Sequence, residues 1–80
     1  TEIAERMVQL RKRKKLSQKN LALRSGVSLG SLKRFEQMGE ISLQSLTKIA
    51  IALEVEGELE ELFSKVPFAS IEEVIRTQTK

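Results

Sequence analysis

The sequence predicts an all-α domain, and three observations carry that prediction. Pro67 is the single proline among 80 residues. Apolar residues recur at steps of three and four, and no stretch alternates between apolar and polar residues as a strand would. Ser17, Ser28 and Ser42 each stand just before an apolar run, where helix N-caps are expected. At this length the chain has room for one small core.

The first three predicted helices follow one another closely. A first helix carries its apolar stripe on Ile3, Met7 and Leu10 and ends in five consecutive cations. A second helix, over residues 18–24, starts behind the Ser17 cap. Gly26 then supplies a tight left-handed turn. The third helix, over residues 29–37, starts behind the Ser28 cap and stops at Met38 and Gly39.

Two further helices complete the predicted domain of residues 1–64. A fourth helix begins after Ser42, is expected to end near Val55 and has the clearest amphipathic pattern. Its inward residues are Leu43, Leu46, Ile49, Ala50 and Leu53. After Gly57, the apolar residues of the segment 59–63 define a short fifth helix. These residues are Leu59, Leu62 and Phe63.

Residues 65–80 are predicted to form a short C-terminal extension. Pro67 marks a break, and Ser70 with Glu73 resembles a capping box that would start another helical turn or two. The apolar residues of this segment include Ile71, Val74 and Ile75. We expect the extension to dock on the core or on a second subunit.

The composition excludes several functional classes. All eleven acidic residues are Glu, and the chain contains no Asp, His, Cys, Trp or Tyr. The usual metal ligands, general bases and activated thiols are therefore missing, so we expect no enzymatic activity, no metal, no cofactor and no small-molecule substrate. The absence of cysteine fits a reducing cytoplasm. The longest apolar stretch, Ile49 to Leu53, is too short to cross a membrane. The chain starts at Thr1 without a charged leader, so we expect no secretion signal and a trimmed N-terminus.

Positive charge is concentrated in the first half of the chain. Residues 1–40 contain ten Lys and Arg against four Glu, whereas residues 41–80 contain four against seven. Such asymmetry is typical of a protein that binds a polyanion. Cations at residues 11–15 also suit the solvated last turn of a helix, because they complement its dipole. Charge alone leaves both interpretations open.

The segment Leu16 to Glu36 carries the functional pattern. Two short helices must cross steeply there, with the small Ala22 at their close approach and Gly26 at the turn. The residues expected to bury the underside of the second of these helices are Val27, Leu32 and Phe35. Its outer side is then free, and a projecting helix of this diameter fits the major groove of B-DNA.

This segment resembles the helix-turn-helix of the Cro and phage-repressor family, whose members share the λ-repressor-like fold of five helices. The resemblance covers about residues 3–63 in order. It rests on Leu-Ser-Gln at residues 16–18, Ser-Gly-Val-Ser at residues 25–28 and Lys-Arg-Phe-Glu at residues 33–36. It implies a transcriptional regulator, expected to act as a repressor, that binds double-stranded DNA as a homodimer on a near-palindromic operator.

The resemblance also implies roles for individual residues. Those expected to meet base edges are Ser28, Leu29, Gly30, Ser31 and Lys33. Those expected to contact phosphates are Arg11, Lys15, Gln18, Lys19 and Arg34, with Gln18 also bracing the recognition helix. Family members often have a hydrogen-bonding residue in place of Leu29 and a polar one in place of Gly30. Direct base readout is therefore expected to rely on Ser28, Ser31 and Lys33. Leu29 is suited to contact a thymine methyl group.

Several of these assignments have a second interpretation. Gly30 either permits a close approach to DNA or reflects drift at a tolerant helical turn. Lys33 and Arg34 are alternatively surface cations paired with Glu36 or Glu40. Gln18 is alternatively only a good early helical residue.

Two other functions remain open at this stage. A narrower resemblance is to regulators of the HipB type, antitoxins that partner a kinase toxin. It rests on residues 31–36 and 39–42 and on the tail Leu62-Phe63 followed by Phe68, Ser70 and Ile71. The acidic second half would then face that protein partner, or would simply keep the surface solvated. The other alternative is an adaptor of the same fold that does not bind DNA.

Overall fold

The computed structural model describes residues 1–62 and residue 64, and within them it contains five helices and no strand. The helices are α1 (Glu2–Arg13), α2 (Gln18–Ser25), α3 (Leu29–Met38), α4 (Leu43–Ala52) and α5 (Glu56–Glu60). The predicted all-α class is therefore confirmed. The predicted final turn behind Ser70 lies outside the described residues, as does Phe63.

Hydroxyl side chains determine where the first four helices begin. Ser17, Ser28 and Ser42 have extended backbone, and each side-chain oxygen accepts a hydrogen bond from the backbone N–H three residues later, at 3.0–3.1 Å. Thr1 caps α1 in the same way at 3.1 Å. Each such cap satisfies a backbone donor that the helix itself leaves unpaired and stabilises the helix by about 1 kcal/mol. The three predicted serine caps are confirmed.

Four helices are followed by a residue in the left-handed region. Gly26 and Gly39 have φ of 76° and 75°, where glycine has no steric penalty. Lys15 and Glu54, with φ of 57° and 61°, adopt the same region without being glycine. The chain folds back after Lys15 and after Glu54. Behind Lys15, the N–H of Leu16 donates to the carbonyl of Arg11 at 3.1 Å and closes the end of α1. The equivalent bond, from Val55 to Ala50, closes the end of α4 at 2.9 Å.

The core is formed where α1 to α4 meet. Phe35, Leu21, Leu32, Ile49 and Leu53 are its largest fully buried side chains. Around them lie Ala4, Met7, Leu16, Ala22 and Val27. Helix α2 packs on α3 and α4, α1 packs on α3, and α5 covers the end of α4. The predicted burial of Val27, Leu32 and Phe35 is confirmed.

Some predicted details of the apolar stripes are wrong. Ile3 and Leu43 were expected to face the core, but they are 57% and 68% exposed. Both lie in the first turn of their helix, at the edge of the domain, and Ala4 takes the buried place beside Ile3. Helix α5 starts before Gly57 rather than after it, and Leu62 follows its end and is 51% exposed. Helix α4 ends at Ala52, three residues before the predicted Val55.

Candidate nucleic-acid interface

The turn between α2 and α3 is built from local hydrogen bonds. The N–H of Gly26 donates to the carbonyl of Ala22 at 3.0 Å and ends α2. The Ser25 hydroxyl donates to the same carbonyl at 3.3 Å and accepts from the N–H of Val27 at 3.2 Å. A Cβ atom at Gly26 would meet nothing within 4 Å, so the positive φ, and not lack of space, favours glycine. Val27 is buried and starts the approach to α3.

Helix α3 has one buried side and one free side. Leu32 and Phe35 are 0% and 2% exposed, and they anchor the helix to the core. Gly30, Lys33 and Gln37 follow at steps of three and four on the opposite side, and all three are exposed. A helix fixed in this way can present its outer side to another molecule without rearranging the core.

Glu36 is the centre of a cluster that fixes the position of α3. Its Oε2 accepts from Arg11 Nε at 2.9 Å, and its Oε1 accepts from Gln18 Nε2 at 2.8 Å and from Arg11 Nη2 at 3.2 Å. The Arg11 and Glu36 side chains are only 12% and 6% exposed. Arg11 Nη1 also donates to the carbonyl of Leu16 at 2.9 Å. This Arg11–Glu36–Gln18 cluster joins α1, α2 and α3 at the side of the helix-turn-helix.

The contacts of this cluster bear on the predicted roles of four residues. Gln18 contacts Glu36 on α3, which is the bracing contact the resemblance implied. Glu36 pairs with Arg11, and within residues 1–62 and 64 neither Lys33 nor Arg34 forms an ion pair. Three nitrogens of Arg11 donate hydrogen bonds inside the protein. A phosphate contact from Arg11 stays a prediction, and in such a contact the phosphate would share the guanidinium with Glu36.

The residues predicted to meet base edges are not equally free. The Ser28 hydroxyl caps α3 and also donates to Ser31 Oγ at 2.9 Å. Leu29 is half-buried and packs against the core, so only part of its side chain faces outward. Gly30, Ser31 and Lys33 are exposed. Direct contact with bases by these residues remains a prediction.

Three of the predicted phosphate contacts are exposed cations. Arg34 lines a polar cleft between α3 and the start of α4, together with Ser31 and Ser45. Lys15 and Lys19 are exposed at the end of α1 and in the first turn of α2. Lys14 instead lies 3.4 Å from Glu54 in an exposed ion pair. The predicted phosphate contacts of Lys15, Lys19 and Arg34 are therefore sterically open.

Sequence reasoning did not single out Gln37. This exposed side chain lies one turn after Lys33 and two turns after Gly30 on the free side of α3. Its spacing, four residues after Lys33 and seven after Gly30, is the sequence signal that could have identified it. Its amide can both donate and accept hydrogen bonds, as base edges require.

Clustered metal-ligating side chains and membrane-spanning helices are both absent from the described part of the chain. No group of three or more His, Cys, Asp or Glu residues in residues 1–62 and 64 is placed to bind a metal ion. None of the helices α1 to α5 is long and apolar enough to span a bilayer.

A short helix, a glycine turn and a second helix with a free outer side define a helix-turn-helix DNA-binding domain. The Helix-turn-helix family model matches residues 7–59, which is more than half of the chain. The chain belongs to this family, of the Cro and phage-repressor type. The family consists of DNA-binding regulatory domains. No curated protein and no solved structure matches the chain.

Replacing Gly30 with Ala separates the two interpretations of this glycine. A Cβ atom there would meet nothing within 4 Å, and the residue is helical, so we expect the free domain to gain up to about 1 kcal/mol of stability. If the glycine permits a close approach of α3 to DNA, affinity should fall about five- to tenfold, equivalent to roughly 1 kcal/mol.

Gly57→Ala is the matched control, because Gly57 is also helical with open space around it but lies in α5. Urea unfolding and fluorescence anisotropy with a DNA duplex measure the two effects. Equal DNA affinities of the two variants would show that Gly30 reflects drift.

Proposed function

We propose that this protein is a sequence-specific transcriptional regulator, acting as a repressor, which binds a near-palindromic operator as a homodimer. The observation that supports this proposal is that α3 has a free outer side. On its inner side Leu32 and Phe35 hold the helix against the core, and Glu36 fixes its position through Arg11 and Gln18. In the proposed complex the outer side enters the major groove, which is wide enough for a helix.

Contacts to bases and to phosphates have different tasks in this proposal. Gly30, Ser31, Lys33 and Gln37 are the exposed residues of α3 that approach base edges, and Lys33 is the long donor suited to guanine. Ser28 and the exposed part of Leu29 lie at the start of the same helix. The phosphate contacts set the register on the duplex without reading sequence. They come from the exposed Lys15, Lys19 and Arg34, and from Gln18 and Arg11, which belong to the cluster around Glu36.

A dimer would place two α3 helices in successive major grooves, about 34 Å apart. Selection of bound duplexes from a random library tests this directly. We expect enriched sequences with two inverted half-sites whose centres lie about 10 base pairs apart, or a multiple of that. Enrichment of a single half-site, with no symmetric partner, would contradict the dimeric arrangement.

Repression is a separate part of the proposal and needs its own test. A reporter gene with the selected operator placed over its promoter should be expressed less when the protein is present. The matched control is a reporter whose operator half-sites are scrambled. Increased expression from the intact operator would show that the protein is an activator.

Lys33→Ala and Arg34→Ala are expected to have different effects on DNA binding. Lys33→Ala should relax the preference at one base pair of each half-site, with a loss of discrimination of about 1–3 kcal/mol there. Arg34→Ala should weaken binding to all sequences alike and reduce the salt slope by about 1 unit for each protomer bound. Affinities for a panel of single-base operator variants at several salt concentrations distinguish these results. Equal losses on every sequence for Lys33→Ala would show that Lys33 does not read a base.

A mobility shift on random duplex DNA separates this proposal from the adaptor. At about 50 mM salt a DNA-binding domain with exposed cations should bind random DNA, because the phosphate contribution does not depend on sequence. An absence of binding under these conditions would favour the adaptor.

The HipB-type partner stays a prediction. Glu56, Glu58, Glu60 and Glu61 are exposed in and after α5, which leaves them accessible to a basic protein surface. Exposed acidic residues are equally suited to solvation alone.

A further inference from the structure

An apolar groove lies on the side of the domain formed by α1, α4 and α5. Its lining includes Ile3 and Leu10 of α1, Leu46 of α4, and Val55, Leu59 and Leu62 around α5. Ile3 and Leu62 are 57% and 51% exposed. The groove has a volume of about 290 Å³, whereas a cavity of about 150 Å³ holds a benzene molecule. It therefore has room for about two large apolar side chains.

We propose that residues 66–77 of the same chain cover this groove. Leu62 lines the groove, and residue 64 is the last described position, so the chain that follows starts next to it. Phe68 lies four residues beyond Ser64, a span of at most about 14 Å at 3.3–3.6 Å per residue. A short tether gives the segment a high effective concentration at the groove, which favours its own chain over a second copy.

The sequence of the segment is complementary to the groove. Its apolar residues recur at steps of three, three and one, so they share one side if the segment is helical. They are Phe68, Ile71, Val74 and Ile75. The rim of the groove carries charges of both signs on Arg6 and Glu58, and the segment carries both signs on Glu72 and Arg76. An apolar stripe with flanking charges is what such a groove accepts.

This proposal does not depend on DNA binding. The groove is lined by residues of α1, α4 and α5 and the positions that follow them, and none of its lining residues belongs to α3. Covering the groove leaves the outer side of α3 free.

The first test compares two single substitutions in the full chain. Ile71→Asp places a charge in the apolar stripe, and we expect it to lower the urea midpoint of unfolding. Thr77→Asp, on the polar side of the same segment, is the matched control and should leave the midpoint unchanged. Equal midpoints for the two variants would overturn the proposal.

The second test uses pairs of engineered cysteines, since the chain has none of its own. In the test pair, Arg6→Cys is combined with Glu72→Cys, which lies beside the apolar stripe if the segment is helical. In the control pair, Arg6→Cys is combined with Glu73→Cys, which lies on the opposite side of the same helical pattern. We expect a monomeric disulfide to form at least tenfold faster in the first pair than in the control. Equal rates, or no disulfide, would overturn the proposal.

Mixing the two single-cysteine proteins Arg6→Cys and Glu72→Cys tests the source of the segment. If the segment docks within its own chain, this mixture should form no more disulfide-linked dimer than a mixture of the single-cysteine proteins Arg6→Cys and Glu73→Cys. A dimer that forms preferentially with Glu72→Cys would show that a second copy covers the groove, which contradicts the proposal.

Discussion

Replacing Glu36 with Ala is expected to destabilise the domain by about 3–5 kcal/mol, because it leaves the guanidinium of Arg11 without its anion in a poorly solvated place. The Arg11 side chain is only 12% exposed, and two of its nitrogens donate to Glu36. Gln18 loses its acceptor as well. A domain of this size has a total stability at the lower end of about 5–15 kcal/mol, so much of the protein should be unfolded at 37 °C.

Glu40→Ala is the matched control, since Glu40 is an exposed glutamate just after α3 and makes no ion pair within the described part of the chain. Its effect on the urea midpoint should be small, within about 0.5 kcal/mol. The double variant Arg11→Met with Glu36→Leu should recover much of the loss, because apolar residues of similar size can replace a buried pair. If Glu36→Ala cost no more than Glu40→Ala, the cluster would not hold α3 in place.

DNA affinity should fall about 10³-fold between 50 and 200 mM salt, as expected for a protein that makes about six phosphate contacts. Each protomer exposes Lys15, Lys19 and Arg34, the three cations proposed to contact phosphates, so a dimer would make about six such contacts. At about −0.9 per contact, the logarithm of the binding constant should fall with a slope near −5 against the logarithm of salt concentration.

Lys19→Ala should reduce that slope by about 1 unit for each protomer, and Lys48→Ala is its control. Lys48 is exposed in α4 and is not among the predicted phosphate contacts. The two variants remove the same net charge, so only the position of the lysine differs. A slope near zero for the unmodified protein, or equal changes in the two variants, would contradict the proposed interface.

The sequence predicted the fold well wherever a local signal exists. Ser17, Ser28 and Ser42 begin helices because their hydroxyls accept from nearby N–H groups, which is a property of three or four residues. The turns at Lys15 and Glu54 were not predicted, since neither is glycine. The residues that follow them, the buried Leu16 and the partly buried Val55, hold the left-handed backbone in place by packing on the core. That packing depends on the assembled core, so no pattern in the neighbouring sequence indicates it.

The candidate site was predicted in outline, with its internal contacts missing. The buried pair Leu32 and Phe35 was enough to place the free side of α3, since a helix that buries one side exposes the other. The ion pair of Arg11 with Glu36 joins residues 25 positions apart, and no spacing rule connects them. A sequence with several cations and glutamates allows many pairings, and only packing selects one.

Titration of the isotope-labelled protein with its selected operator duplex, followed by the amide resonances of each residue, tests the central claim most directly. The proposed interface predicts that the largest changes fall on the outer side of α3, at Gly30, Lys33 and Gln37, and on Lys19 in the first turn of α2. Little change is expected at Leu59 in α5, on the other side of the domain. Large changes around α5 with none along α3 would contradict the entry of α3 into the major groove.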